Sequence, residues 1–254
     1  MQINFSPQRL LFAFYALLSV LMLTPALRMQ GQSPATTQAT LDLPDAPTPA
    51  NSGDPVPSAI TPLPMASHVQ KYIDPGQQAP RLTVGDKILI GFRDVASPLT
   101  AAGWVVSAGY SQAINTTPNY GRNGKAYAQR LGAAAARSAS EGIFSDAVLA
   151  PILHEDPRYY KMGKGHSGGR RAFYAITRTV VTRTDDGHST VNFSLLGGNL
   201  AGSAMTQAYY PPQDRGFGET MKTFGFSVGG SAFRFIVAEF LDDTLQAVHL
   251  KKPR

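Results

Sequence analysis

Cysteine is absent from the 254 residues, which removes disulfides, thiolate zinc sites and cysteine nucleophiles from the chemistry available to the chain. An oxidising compartment is permitted by that absence without being required. Carboxylates are missing from one long stretch: Arg158, Lys161, Lys164, Arg170, Arg171, Arg178 and Arg183 follow one another with no Asp or Glu between them. The formal charge of +6 favours contact with something anionic, such as phosphate, acidic glycan, lipid head group or nucleic acid. Metal spacing is missing too. No His-x-x-x-His or His-Glu-x-x-His places two ligands on one helix face, so His154, Asp156, His166 and His188 do not read as a metal site. No cofactor motif is found, and the glycine–lysine spacing of a P-loop is missing.

What is present begins with an uncharged run from Leu10 to Leu23, close to the length of a signal-peptide core and short of the roughly 20 residues a spanning helix needs. Residues 1–31 are expected to be a signal peptide, with an uncleaved anchor as the alternative. Residues 32–81 are rich in Pro, Ala, Thr and Ser, as in Leu43-Pro44-Asp45-Ala46-Pro47, with few large apolar side chains to offset the entropy of ordering. They are expected to be a disordered spacer, leaving residues 82–250 as one helical domain.

Within that domain Ile88, Leu89, Phe92, Val95, Leu99, Ala102, Val105, Val106 and Tyr110 recur at helical steps, interrupted at Pro98. Asn115 to Gly124 is loop chemistry, and a second helix is predicted from Lys125 to Leu153. Ala128, Gly132, Ala136 and Ser140 form a small-residue stripe on it, repeated in form by Gly198/Gly202 and Gly225/Gly229. Such stripes let helix backbones approach closely. Arg130, Arg137, Glu141 and Arg234 lie in these segments and make insertion into a membrane expensive, which favours helices packed in water. Residues 173–193 fit either a helix stopped by Gly187 or a hairpin turning at Asp186-Gly187; the helical neighbours favour the helix. The fold class is therefore mainly α: a compact bundle of about five helices with Gly/Ala-rich interfaces, after a disordered Pro-rich segment.

The string Leu153 to Tyr160, then Gly163, Gly165, Arg171, Tyr174-Ala175, Arg178, Val181 to Asp185, Asn192-Phe193-Ser194, and Tyr209-Tyr210-Pro211 with Asp214-Arg215, resembles a family of uncharacterised exported bacterial proteins. The resemblance covers roughly Leu82 to Asp243 and the Pro-rich leader. It implies export and carries over no activity.

Three functions are weighed on the residues. The first is a non-catalytic exported envelope protein with a structural or anion-binding role; Arg158, Lys164, Arg170, Arg171 and Arg178 are its anion-binding candidates, for an anionic lipid or glycan, and export disfavours nucleic acid. Asp156, Tyr159, Tyr160, Tyr209, Tyr210, Asp214 and Arg215 are its structural cluster, gathered at one end of the bundle if the helices before them run the same way. The second is a small hydrolase with His154 as base, Asp156 or Glu155 orienting it, and Ser194 or Ser203 as nucleophile, although no strand-borne nucleophile elbow is recognised. The third is an oligomeric membrane-inserted helical protein. The non-catalytic reading is preferred.

Overall fold

A computed structural model describes residues 63 to 247. The expected signal peptide or anchor, and the spacer as far as residue 62, lie outside the described residues. The chain from 63 to 81 was assigned to the spacer and instead belongs to the fold. Met65 bridges Gln78, and β1 (Tyr72–Ile73) pairs in parallel with β3 (Tyr159–Tyr160). Ala66 and Ile73 are buried, and Lys71 bonds Asp146. Three prolines in this segment suggested a spacer; long-range pairing with β3 overrides that local signal.

Helix α1 (Val84–Val95) opens with a reciprocal capping box between Thr83 and Asp86. Pro98 interrupts the helical period by starting a new helix, α2 (Pro98–Ile114), with Ser97 accepting from the Thr100 amide at 3.2 Å. Helix α3 (Gly124–Gly142) continues through a π-helical segment (Ile143–Leu149) into the short α4 (Ala150–Ile152). The predicted second helix is thus a single rod, locally widened. Pro151 has no N–H to give to the carbonyl four residues back, and the Ala150 amide reaches Ser145 O instead.

Residues 173–193 divide between the two readings offered above. Helix α5 (Gly168–Thr177) ends at Arg178, and β4 (Val181–Thr184) then turns through Asp185–Gly187 into β5 (Ser189–Val191). The helix preferred over the whole stretch is corrected to a hairpin beyond Thr177. β2 (Glu155–Asp156) is what completes it, pairing antiparallel with β4. A third strand contributed from elsewhere is invisible to local periodicity. Helix α6 (Phe193–Met205) and helix α7 (Phe217–Ala247) complete the mainly helical fold.

The rod of α3, the π segment and α4 carries α1, α2 and α6; α7 packs on α6, and α5 on α7. Of the three small-residue stripes, one is a true close contact. A Cβ on Gly198 would lie 2.6 Å from Ser145 N, and one on Gly202 would lie 2.5 Å from Glu141 Cγ. Gly132, Gly225 and Gly229 have nothing within 4 Å of where their Cβ would be, and Ala128, Gly132 and Ala136 are exposed. Spacing alone could not tell the seam that packs from those that do not.

Burial is inverted relative to a usual water-soluble bundle. Fully enclosed apolar groups are mostly alanines, while Lys87, Asp94, Arg130, Asp146, Glu155, Asp156, Arg158, Arg171 and Glu239 are buried. Phe92, Val105, Val106, Tyr110, Phe173, Phe193, Phe226 and Phe233 are exposed. Arg130, Arg137, Glu141 and Arg234, which argued against insertion, all turn inward onto polar partners. Helix α7 is long and apolar enough to cross a membrane by length and composition.

Candidate functional site

Two polar centres hold the elements together at the α4 end of the rod. The first forms where α4 gives way to β2. Pro157 fixes the chain so that Asp156 faces back along it, and its carboxylate accepts from Arg158 N at 2.9 Å, Arg158 Nε at 2.9 Å and Arg158 Nη2 at 2.7 Å. Tyr160 Oη donates to the same carboxylate at 2.7 Å. Burial and the Asp156 charge hold the Tyr160 phenol well above its ordinary range. The Arg183 guanidinium lies 4.3 Å from the Tyr160 ring centre on the outer side. Beside it Lys87, buried on α1, bridges Asp185 at 2.6 Å and the Ala150 carbonyl at 3.3 Å, closing the end of α4. Asp156, Arg158, Tyr160, Arg183 and Asp185 edge a shallow depression of about 160 Å³.

The second centre is Glu239 on α7, whose side chain is 0% exposed. It accepts from Tyr159 Oη at 2.8 Å, Met162 N at 3.0 Å, Gly163 N at 2.9 Å and Arg171 Nε at 3.0 Å. Arg171 continues to Asp243 at 2.6 Å and stacks over Phe240, while Lys161 spans Asp74 and Asp242 at 2.9 and 2.7 Å. Gly163 is left-handed here, at φ +78°, and packs on Pro75. This centre joins α5, α7, β3 and the strand β1 that precedes the helices.

The hydrolase residues do not converge. The His154 side chain is 83% exposed and its Nδ1 reaches only Asp185, at 3.7 Å. Ser194 is buried in the first turn of α6, its hydroxyl on Asn192 at 3.3 Å, and its amide is bound by Glu155 at 2.9 Å. Glu155 is thereby a helix cap, not an orienting acid. Ser203, with 0% exposure, is enclosed within the bundle. Gly165-His166-Ser167-Gly168-Gly169 does have the Gly-x-Ser-x-Gly spacing. Yet Ser167 has φ −60° and ψ 147°, ordinary extended backbone in place of the strained turn that exposes a nucleophile.

The anion-binding candidates are likewise separated. Carboxylates occupy Arg158 and Arg171; Arg178 lies over Tyr174 at 4.7 Å; Lys164 bonds Gln246 at the far end of α7. Of the five, only Lys164 and, on α5, Arg170 are exposed. The charge run looked unpaired because its partners, Glu239, Asp242 and Asp243, sit some seventy to eighty residues further on.

The structural cluster splits into two. Gly198 meets Ser145 and Gly202 meets Glu141, so α6 runs antiparallel to the rod. Tyr209, Tyr210, Asp214 and Arg215 therefore lie at the end opposite to Asp156, Tyr159 and Tyr160. There Asp214 accepts from Asn119 N at 2.6 Å and Asn119 Nδ2 at 2.7 Å, while Arg215 donates to the Tyr210 carbonyl at 2.7 Å and not to Asp214. Tyr120 Oη donates to the Tyr209 carbonyl at 3.0 Å, and Arg130 gathers the 115–121 loop through Thr116 O and Gly121 O. The like-direction packing assumed for the two helices is corrected by this contact pairing. Among the described residues no group of three or more His, Asp or Glu side chains is arranged to hold a metal ion.

Glu239, Lys87 and Asp94 were not singled out in the sequence. Glu239 had a usable signal: with Asp243 it forms an i, i+4 carboxylate pair on one face of α7. Compared with family profiles, curated proteins and solved structures, the chain finds no match in any of the three.

Proposed function

We propose that the chain is a non-catalytic, exported component of a cell envelope, with the described part serving as a rigid scaffold. The observation that carries it is the disposition of the groups able to do chemistry. Asp156 is saturated by one arginine and one tyrosine, Glu239 by four donors, and Ser194 by its own helix cap. A general base needs a proton donor within hydrogen-bond reach, and His154 faces water with only Asp185 near it. The apolar run Leu10–Leu23 and the Pro-rich stretch after it support export. Structural use is favoured over anion binding because carboxylates of the same chain already hold Arg158 and Arg171.

Two measurements test this together. Treatment with a fluorophosphonate serine probe is expected to leave Ser167, Ser194 and Ser203 unlabelled, and cell fractionation is expected to find the chain outside the cytoplasm. Stoichiometric labelling of any of these serines would replace the scaffold by a hydrolase. Recovery of the chain in the cytoplasm would remove the envelope.

A further inference from the structure

The outer side of α1 and α2 is the surface that the scaffold leaves least explained. The two helices lie end to end along the rod: Gly91 of α1 meets Ala147, while Ser107 and Gln112 of α2 meet Arg137 and Arg130. Their polar residues, Lys87, Asp94, Thr100 and Ser111, turn inward and are buried. Outward stand Ile88, Leu89 and Phe92 on α1 and Val105, Val106 and Tyr110 on α2, from 39% to 59% exposed. Isolated apolar side chains on a surface need no explanation; two successive helices that present their apolar faces to the outside do.

Charge identifies what covers them. Arg81 precedes α1, Arg93 is on it, and Arg122 and Lys125 follow α2; all four are exposed. Gln112 of α2 holds the Arg122 carbonyl at 2.9 Å, which keeps this basic segment against the helix. Among the described residues the one exposed carboxylate is Asp186, bonded to Arg81. A second copy docked through the same face would set these cations against one another. An anionic bilayer surface offers both complements, acyl chains for the apolar side chains and head groups for the cations at their edges. Arg93 is compatible with this placement because its stem can lie along the apolar face while its guanidinium reaches the head groups.

We propose that α1 and α2 lie on an anionic lipid bilayer, with Ile88, Leu89, Phe92, Val105, Val106 and Tyr110 entering the boundary between head groups and acyl chains. This deepens the envelope scaffold by naming the surface it rests on. The N-terminal apolar run could bring the chain to a membrane by itself, so the test must report from α2. Trp104 is the only tryptophan in the chain and lies next to Val105 and Val106.

The full chain is mixed with vesicles of phosphatidylcholine and phosphatidylglycerol at 7:3, with or without bromine on the acyl chains, an arbitrary but roughly physiological anionic fraction. Expected are co-flotation and quenching of Trp104 by the brominated lipid. The exposed double variant Phe92→Glu with Val106→Glu should lose the quenching and require about tenfold more lipid or worse for half-saturation, its circular dichroism unchanged. Arg93→Glu should weaken binding to these vesicles by about tenfold and leave binding to pure phosphatidylcholine unaltered. Three outcomes overturn the proposal: no flotation, flotation with Trp104 unquenched, or a vesicle-free oligomer that the double variant dissociates. None of them bears on serine labelling or cell fractionation, so the scaffold reading stands or falls separately.

Discussion

Tyr159 Oη donates a 2.8 Å hydrogen bond to Glu239 Oε2, joining residues 80 apart in sequence. The same carboxylate takes two backbone amides from the Met162–Gly163 turn and one guanidinium N–H from α5, and the Tyr159 ring stacks on Phe235 one turn earlier along α7. Every oxygen position on Glu239 is matched by a donor, which is how a carboxylate with no exposure is accommodated. The short strands β1 and β3 would have little independent stability, having two residues each.

Replacing Glu239 therefore tests whether this junction holds the domain together. Glu239→Gln keeps the shape but puts an amide N–H where the carboxylate accepted from amides, tyrosine and arginine. Removing one partner of a buried charged network costs about 3 kcal/mol. Urea unfolding is expected to show a midpoint lower by that amount divided by an unchanged m-value. A loss of less than about 1 kcal/mol would mean that Arg171 and Asp243 carry the junction without it.

Alkaline pH reaches both polar centres through their tyrosines, Tyr159 on Glu239 and Tyr160 on Asp156. Burial, then the hydrogen bond to Glu239, raises the Tyr159 phenol well above its ordinary value, and burial with Asp156 does the same for Tyr160. A phenol whose pKa is raised in the fold keeps its proton there while the unfolded chain releases it near pH 10, so stability is intact below about pH 10 and declines as pH climbs beyond it. Tyrosinate absorbance from this pair should appear together with loss of helical circular dichroism. Ionisation of both phenols near pH 10 in a chain that stays folded would contradict their enclosure.

How much of this was visible beforehand follows from the range of each interaction. Helices α1 and α2 were legible because an apolar period repeats within them, even though its polarity faces the unexpected way, and α3 and α7 because small residues recur four apart along them. The hairpin at 181–191 and the strand at Tyr72 were not, because β2 and β3 stabilise them from a distance and their own residues carry only weak signals. Asp156, Arg158 and Tyr160 were recognised as a set because they are neighbours in sequence. Glu239 was passed over because Tyr159 and Arg171, which give it meaning, come from other elements. The direction of α6 against the rod, which separated Tyr209 and Tyr210 from Tyr159 and Tyr160, is a tertiary fact with no local signature.

Asp214 offers a test at the other end of the rod. It takes the Asn119 amide, the Asn119 side chain and the Thr117 hydroxyl, and so pins the 115–123 loop to the turn before α7. Asp214→Ala leaves the partly buried Asn119 N–H without its acceptor, at a cost of roughly 1 kcal/mol. The expected result is local: limited proteolysis should cut between Asn115 and Asn123 in the variant and not in the parent, with the helical signal retained. Protection of that loop in the variant would show that Arg130 and Tyr120 hold it without Asp214.

The glycines separate close packing from mere spacing. Gly198 and Gly132 both lie in helices, both belong to four-residue stripes, and a helical glycine costs roughly 1 kcal/mol relative to alanine wherever nothing else intervenes. At Gly132 nothing lies within 4 Å of the added methyl, so Gly132→Ala should raise stability by about 0.4–1 kcal/mol. At Gly198 the methyl would sit 2.6 Å from Ser145 N and 2.8 Å from Glu141 O, which are backbone atoms of the rod that no rotamer change can move. Helix α6 must then shift away, and overpacking of this kind costs about 1–3 kcal/mol, more than the propensity gained. Thermal midpoints are expected to move up for Gly132→Ala and down for Gly198→Ala. If both rise, α6 and the rod are farther apart than the seam requires, and the antiparallel pairing that places Tyr160 and Tyr210 at opposite ends loses its support.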